Sequence, residues 1–489
     1  MVSSPDDMND VEANAAPKSK RAQVSKACQR CKRLQKGCSE SRPCQRCIKV
    51  GLEEQCLRND GQGRQPSDRN WSYPQRPASR SPETLHMVPL AAIVQQAGLP
   101  PAPVIGYCCR RFFAQLYPTI PILSPEYVDA LVAAANLPNG GEAQCLVTAV
   151  CALVLMQVEK PDQLAFQDDG IHHSNRELGR ILFEKAMADH HNLSSRFSPS
   201  LERVLATFFL YAGHALLFHH SQAFFFLREV STMWIVLRID EADVLRRMLA
   251  DRLFWVIMVS ERSHGIRYRR PVTLQVTLGR PNLDADAEQD TAVAGLRSLV
   301  ALFRPLDTTF FALLNEENLT FAPRFVPMLD AMQAAIRQAL EPQQTGLLCE
   351  TQLTNLKVTE LWLLIILWQL RLRLGLLVEE AGMACQLTFH YPVEIGHELV
   401  HAVRAMSVES IRIHGVGITE KIFDVACAMA DVLSRVPLTH NREGCLDSIR
   451  YLRSLILKLP GGASTYVSLL DKHISNTLPN VLCAPGPGS

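Results

Sequence analysis

Six cysteines stand within 29 residues near the start of a 489-residue chain: Cys28, Cys31, Cys38, Cys44, Cys47 and Cys56. Their spacing is C-x2-C-x6-C-x5-C-x2-C-x8-C. Thiolates bind borderline and soft metals, and each C-x2-C pair can bite one ion from a tight turn. Tetrahedral zinc takes four thiolates at ~2.3 Å, so six sulfurs fill two such sites only if two sulfurs are shared. The pattern therefore predicts a pair of metal ions with two bridging thiolates. Two dications and six thiolates sum to a formal charge of −2, which nearby Lys and Arg help to hold deprotonated.

The surrounding charge fits that need. Residues 18–49 carry eleven Lys and Arg against one acid, Glu40, giving +10; with +1 for the whole chain, the remainder is −9. A basic head on a mildly acidic body is the asymmetry of a chain whose N-terminal part meets nucleic acid. The head lacks aromatic residues and long apolar runs, so metal binding must supply its folding free energy. The acidic, polar start MVSSPDDMND is unlike a secretory signal. The expected compartment is therefore intracellular and reducing, which disfavours disulfides among the six. The nine other cysteines are expected to be small buried hydrophobes.

The segment KACQRCKRLQKGCSESRPCQRCIKVGLEEQC resembles the fungal Zn2Cys6 binuclear cluster, the DNA-binding module of a large family of fungal transcription factors. The resemblance rests on the six intervals, the basic run after Cys31, and Arg42-Pro43 before Cys44. It implies two Zn2+ ions bridged by Cys28 and Cys44. Cys31 and Cys38 would complete one site, and Cys47 and Cys56 the other. A structural zinc knuckle without DNA contact is the alternative on the same residues.

Residues 29–36 read as a short basic helix ending near Gly37, a favourable residue just past a helix end. In the resembled module such a helix enters the major groove, where a basic residue pairs with guanine O6 and N7. The family usually has Lys or Arg four residues after the second cysteine; here Gln35 stands there, and Gly37 two residues later. Glutamine matches adenine N6/N7 better than guanine. Arg30, Lys32, Arg33, Gln35 and Lys36 are the expected base and groove contacts. Lys18, Lys20, Arg21 and Lys26 are expected on phosphates, which adds affinity without sequence information. Lys18-Ser19-Lys20-Arg21 also suits a nuclear-import signal, consistent with an expected nuclear location.

The elements that must carry this head follow from composition. Residues 1–23 read as a disordered basic arm, 24–60 as the Zn2Cys6 domain, and 61–103 as a disordered linker holding eight of the 29 prolines. No a/d heptad is visible there, so the sequence gives no support for a dimer. Residues 104–478 read as one large all-α regulatory domain of about fifteen or more helices, and 479–489 as a disordered tail. The caps Ser124-Pro125-Glu126 and Ser174…Glu177 open two of the helices. Apolar stretches at 143–158, 201–218, 222–239, 242–260, 353–378, 393–412 and 418–435 carry mostly helical spacing. The longest apolar run of the greasiest segment, Leu361 to Trp368, is too short to cross a bilayer, which needs ~20 residues. No membrane partner is expected.

The body is also similar to the family's middle homology region. Phe112-Phe113, Tyr117-Pro118 and Ile120-Pro121-Ile122-Leu123 look like its opening. Arg252-Leu253-Phe254-Trp255, Glu261-Arg262 and Arg270-Pro271 look like its centre. The segments 302–315 and 354–376, His414-Gly415-Val416-Gly417 and Glu420-Lys421 look like a branch found in sugar-use activators and biosynthetic-cluster regulators. Trp255, Trp362 and Trp368 are expected in the core.

Other chemistry has weaker support. His397-Glu398-Leu399-Val400-His401 matches H-E-x-x-H, with Glu420 downstream, the pattern of a zinc peptidase. The competing reading is a His/Glu cluster at a helix surface or packing face. The pairs His172/His173, His190/His191 and His219/His220 are expected as exposed polar residues at helix ends, and Asp284–Asp290 as a solvated loop. No P-loop, G-x-G-x-x-G or G-x-S-x-G motif stands in a strand-turn-helix context, and an enzyme is not expected. The sequence thus points to a sequence-specific RNA polymerase II transcription factor of fungal type, regulating a biosynthetic or nutrient-use gene cluster. Its expected partners are double-stranded DNA, transcription machinery or coregulators, and a small-molecule effector. An interaction scaffold with a structural zinc head is the second class, and a zinc peptidase the third.

Overall fold

The computed structural model describes residues 98–157, 162–193, 197–276, 283, 290–316, 321–340, 346–378, 384–436 and 442–478. The arm, the cysteine-rich head, most of the linker and the tail lie outside the described residues. The described residues include sixteen α-helices, with no strand among them. The expected all-α body is what is found.

Local sequence explains where the helices start. Ser124 accepts a hydrogen bond from the Tyr127 amide at 3.2 Å and opens α2 (Pro125–Ala135), which follows α1 (Ala102–Arg111). Ser174 and Glu177 form the reciprocal capping box of α4 (Asn175–Asn192), each satisfying a backbone donor that the first turn leaves free. Ser200 caps α5 (Leu201–Leu216) and Asp243 caps α7 (Val244–Tyr268), with α6 (His220–Val236) between them. Asp290 and Asp307 cap α8 (Thr291–Phe303) and α9 (Thr308–Asn315). Asp290, expected in a solvated loop, is thus a cap that also accepts from the Tyr117 hydroxyl. The expected helix over 393–412 divides into α12 (Tyr391–Arg404) and the short α13 (Val408–Arg412). The break comes where the Ser407 side chain caps a new start by accepting from the Ser410 amide. The run expected over 242–260 continues to Tyr268 and stops at Arg269, which takes a left-handed φ of 53°.

Packing sorts these helices into two bundles. In the first, α3 (Gly141–Gln157) lies against α1, α2, α4 and α5, and α5 against α6. In the second, α11 (Glu350–Arg373) and α14 (Val416–Arg435) pack on each other and on α12. Around them lie α10 (Val326–Gln338), α15 (Arg442–Lys458) and α16 (Val467–Thr477). Helices α7 and α8 connect the two bundles. Trp255, Trp362 and Trp368 are buried in the core as expected, each contributing about 1.5–3 kcal/mol of apolar burial. By length and apolarity α11 is long enough to cross a membrane, but it is the buried centre of the second bundle, and Glu360 and Arg371 are enclosed within it.

Of the cysteines expected in the core, Cys108, Cys145, Cys151, Cys427 and Cys445 are buried. Cys349 is a correction: it is exposed, at the N-terminal boundary of α11, and Cys109 and Cys385 are only partly covered. His190 is another, since it is buried rather than exposed and its ring bonds to the Thr207 hydroxyl at 2.9 Å.

The central sequence signature is structural. Glu261 is buried and accepts from the Thr273 and Leu274 amides at 2.9 and 2.8 Å, from the Ser231 hydroxyl at 2.8 Å and from Arg228 at 3.2 Å. It thereby ties the chain after α7 back onto that helix. Arg262 donates to the Leu306 carbonyl at 3.0 Å, and Arg252 lies 3.8 Å from Asp290. Removing the Glu261 carboxylate would leave the Thr273 and Leu274 amides unmatched and Arg228 without its buried partner, while the Ser231 hydroxyl keeps the Leu227 carbonyl. Glu261→Ala should therefore cost about 3 kcal/mol, at the low end for one partner of a buried ion pair because Arg228 is partly exposed. Urea unfolding of the full-length chain checks this; a loss under about 0.5 kcal/mol, the range of surface substitutions, contradicts it.

Candidate functional site

The expected zinc ligands Cys28, Cys31, Cys38, Cys44, Cys47 and Cys56 lie outside the described residues, as does every expected DNA contact from Lys18 to Lys36. Among the described residues, no group of three or more His, Cys, Asp or Glu side chains could hold a metal.

The H-E-x-x-H pattern does fall on a helix, α12, but its side chains turn to separate partners. Glu398 is clasped by Arg337 at 3.0 and 3.1 Å and by Lys357 at 2.7 Å, beside Glu360, which both cations also reach. Partial burial pushes the Glu398 carboxyl up, but these hydrogen bonds bring it below the ordinary value. A carboxylate so held is a poor proton acceptor. His397 meets the Cys445 sulfur at 3.4 Å, whereas Glu420 accepts from Tyr268 and Tyr466. His397, Glu398, Leu399 and Val400 pack α12 on its neighbours and His401 is exposed, so the peptidase arrangement is not assembled.

The His414-Gly415-Val416-Gly417 and Glu420-Lys421 segments have a clearer place. They form the start of α14, at the seam between the bundles. A cleft of about 240 Å3 opens there, lined by α14 together with Tyr211 of α5, Ser260, Ser263, Arg267 and Tyr268 of α7, and Gln157 at the end of α3. Gly415 takes a left-handed φ of 67°, which lets the chain turn into α14 without strain. Gln157 spans the seam by donating to the Ile413 carbonyl at 2.6 Å. Arg267 bonds Asp424, which is fully buried and also accepts from the Trp362 indole at 3.0 Å. Tyr268 donates to Glu420 at 2.9 Å.

Lys421 differs from these paired groups. Its ammonium donates to the Thr359 hydroxyl at 2.7 Å and lies 5.5 Å from the centre of the Trp362 ring. Burial lowers its pKa to about 8, against a smaller upward pull from Glu420. His264 and His414 border the same cleft, and burial lowers each to about 4. The His414 ring donates to the Thr351 carbonyl at 2.9 Å. The site therefore presents neutral imidazoles, hydroxyls, one ammonium, one guanidinium and one carboxylate, most of them on helices.

A second, larger cleft of about 580 Å3 shares Gln157, Leu216 and Val416 with the first. Its rim carries Arg176, Arg180, Arg412 and Lys458 against Glu409.

Comparison with known proteins gives a coarse relationship. The chain is 21% identical over 375 residues to a probable sucrose utilization protein of Candida albicans, covering 72% of this chain and 68% of that protein. It is 49% identical over 39 residues to a transcription activator of gluconeogenesis of Mycosarcoma maydis, covering 8% of this chain and 5% of that protein. No family model matches the chain. The chain is thus similar to fungal proteins of carbon-source use, one of them a transcription activator.

Arg267, Tyr268, Asp424 and Tyr211 were not singled out by sequence reasoning. Tyr211 and Asp424 sit inside apolar runs, Arg267 and Tyr268 in a polar stretch past the end of one, and their convergence depends on how α5, α7 and α14 cross.

The buried histidines give a pH dependence of definite sign. His264 and His414 titrate near 4 when folded and near 6.5 when unfolded, so the unfolded chain takes up protons first. Their stabilising contribution is complete above pH ~6.5 and is lost as pH falls toward 4. The urea midpoint should drop between pH 7 and 5, and the slope should flatten in the double variant His264→Phe, His414→Gln. Glu350 and Glu398, held below the ordinary carboxylate value, act only at lower pH. An unchanged slope in the double variant would contradict the assignment.

Proposed function

We propose that this chain is a nuclear, DNA-binding transcription regulator of carbon-source or biosynthetic genes. On this reading a two-zinc head contacts DNA and the helical body regulates its activity. The observation that carries it is the six-cysteine spacing from Cys28 to Cys56 inside a segment of +10 charge. Two supports are independent of it. The body is all-helical, as the resemblance implies, and the two relatives are named for sucrose use and for activation of gluconeogenesis genes.

The roles divide by chemistry. Two zinc ions would be held by Cys28 and Cys44 as shared ligands, with Cys31, Cys38, Cys47 and Cys56 completing the two sites. The metals would supply no reaction step; they would fix the segment 29–36, expected as a basic helix, so that Arg30, Lys32, Arg33, Gln35 and Lys36 could reach base edges. Lys18, Lys20, Arg21 and Lys26 track phosphates. Coregulators or transcription machinery would meet the body.

Metal analysis and DNA selection on the full-length chain test this reading. Two zincs per chain and enrichment of a defined sequence are expected. Cys28→Ala should lose zinc and reduce specific binding to the nonspecific level, on the order of 10³-fold or more. Lys20→Ala should instead weaken binding to all sequences alike and make the salt dependence shallower. Binding that survives complete chelation, or shows no sequence preference at any salt concentration, would overturn the proposal. The second outcome would favour the scaffold class.

A further inference from the structure

The seam cleft has largely apolar walls, from Ile120, Leu153, Phe208, Leu216 and Trp362, set with several polar side chains that the fold could have replaced more cheaply with apolar ones. A buried charged joint is often neutral or worse for stability than a well-packed hydrophobic one. Here Arg267, Glu420, Lys421, Ser260, Ser263 and Tyr211 converge on one cleft of about 240 Å3. That is room for about eight waters at ~30 Å3 each, or one compact molecule of about a dozen non-hydrogen atoms. Clefts between packed units, with a few convergent polar groups, are where small ligands are usually held.

Three features define the ligand chemistry. First, charge cancels locally: Arg267 and Lys421 are balanced by Glu420 and Asp424, so a ligand of either sign meets a like charge close by. Second, the walls offer both donors and acceptors, which suits hydroxyl groups, since each hydroxyl gives one proton and takes others. The Lys421 ammonium has three donors and its hydrogen bond to Thr359 uses one. Third, Tyr211 and Tyr268 border the cleft, and Tyr268 is ringed by His220 and His264 at 4.8 and 4.6 Å. Such rings give a sugar's C–H faces an apolar wall.

Helix α14 keeps the site open. Gly417 and Lys421 are four residues apart and share one helix face. A β-carbon at Gly417 would meet no atom within 4 Å. Glycine is a poor helix former, and here it leaves space where a larger residue would fill it.

We propose that this cleft binds one small, uncharged, polyhydroxylated molecule of about hexose size, held by Lys421, Glu420 and the Ser260 and Ser263 hydroxyls. Bound there, it touches α5 and α7 on one side and α14 on the other, so occupancy would tighten the seam between the bundles. The proposal goes beyond DNA binding and is tested without DNA.

The test is calorimetric titration of the full-length chain with glucose, fructose, sucrose and glucose 6-phosphate. Saturable one-to-one binding of a hexose in the millimolar range or tighter is expected. Gly417→Leu, which has room to fold, should abolish it while leaving the thermal midpoint in place. Lys421→Met should weaken it at least tenfold. No heat with either hexose, tighter binding of glucose 6-phosphate than of glucose, or hexose binding that persists in Gly417→Leu would each overturn the proposal. The preference for the phosphate would assign the ligand to the cationic second cleft instead.

Discussion

The body of this protein depends on carrying a buried negative charge across a helix–helix seam. Asp424 lies on α14 with no exposure of its side chain, and an isolated carboxylate there would cost several kcal/mol. It is tolerated because Arg267 arrives from α7 and Trp362 from α11, each supplying a hydrogen-bond donor. Glu420, one turn earlier, repeats the device with Tyr268 and Tyr466. The two bundles are thus registered by directional polar bonds as well as by apolar packing, and directional bonds fix a crossing more narrowly than hydrophobic contact does.

That constraint explains why the cleft exists. Side chains engaged at fixed angles cannot collapse to fill neighbouring space, and Gly415 and Gly417 contribute no bulk. The Gln157 bridge to Ile413 holds the end of α3 against the start of α14, and the two clefts share this residue. An all-apolar seam of the same helices would pack shut.

The helical elements were largely legible in the sequence because caps and periodicity are local. Ser124, Ser174 and Glu177 act as read, and the three core tryptophans are buried as expected. The failures have physical causes. The break before Val408 depends on Ser407 finding a local partner inside an otherwise continuous helical pattern. The extension of α7 to Tyr268 is stabilised by Glu261 gathering amides that come twelve and thirteen residues later. The exposure of Cys349 and the burial of His190 follow from their neighbours in space. The candidate site was legible only in part: Glu420 and Lys421 were noticed by resemblance, whereas Arg267 and Asp424 are 157 residues apart and only the fold joins them. Conversely, the six-cysteine pattern is explicit in sequence because its cysteines are close along the chain.

The seam is tested most directly by hydrogen exchange on the full-length chain carrying Arg267→Met. Leaving Asp424 without its cation should speed exchange in 262–276 and 413–424, while the centres of α3 and α11 stay as protected as in the parent. Unchanged protection on both sides of the seam would contradict the account, because the arginine would then not be what joins the two bundles.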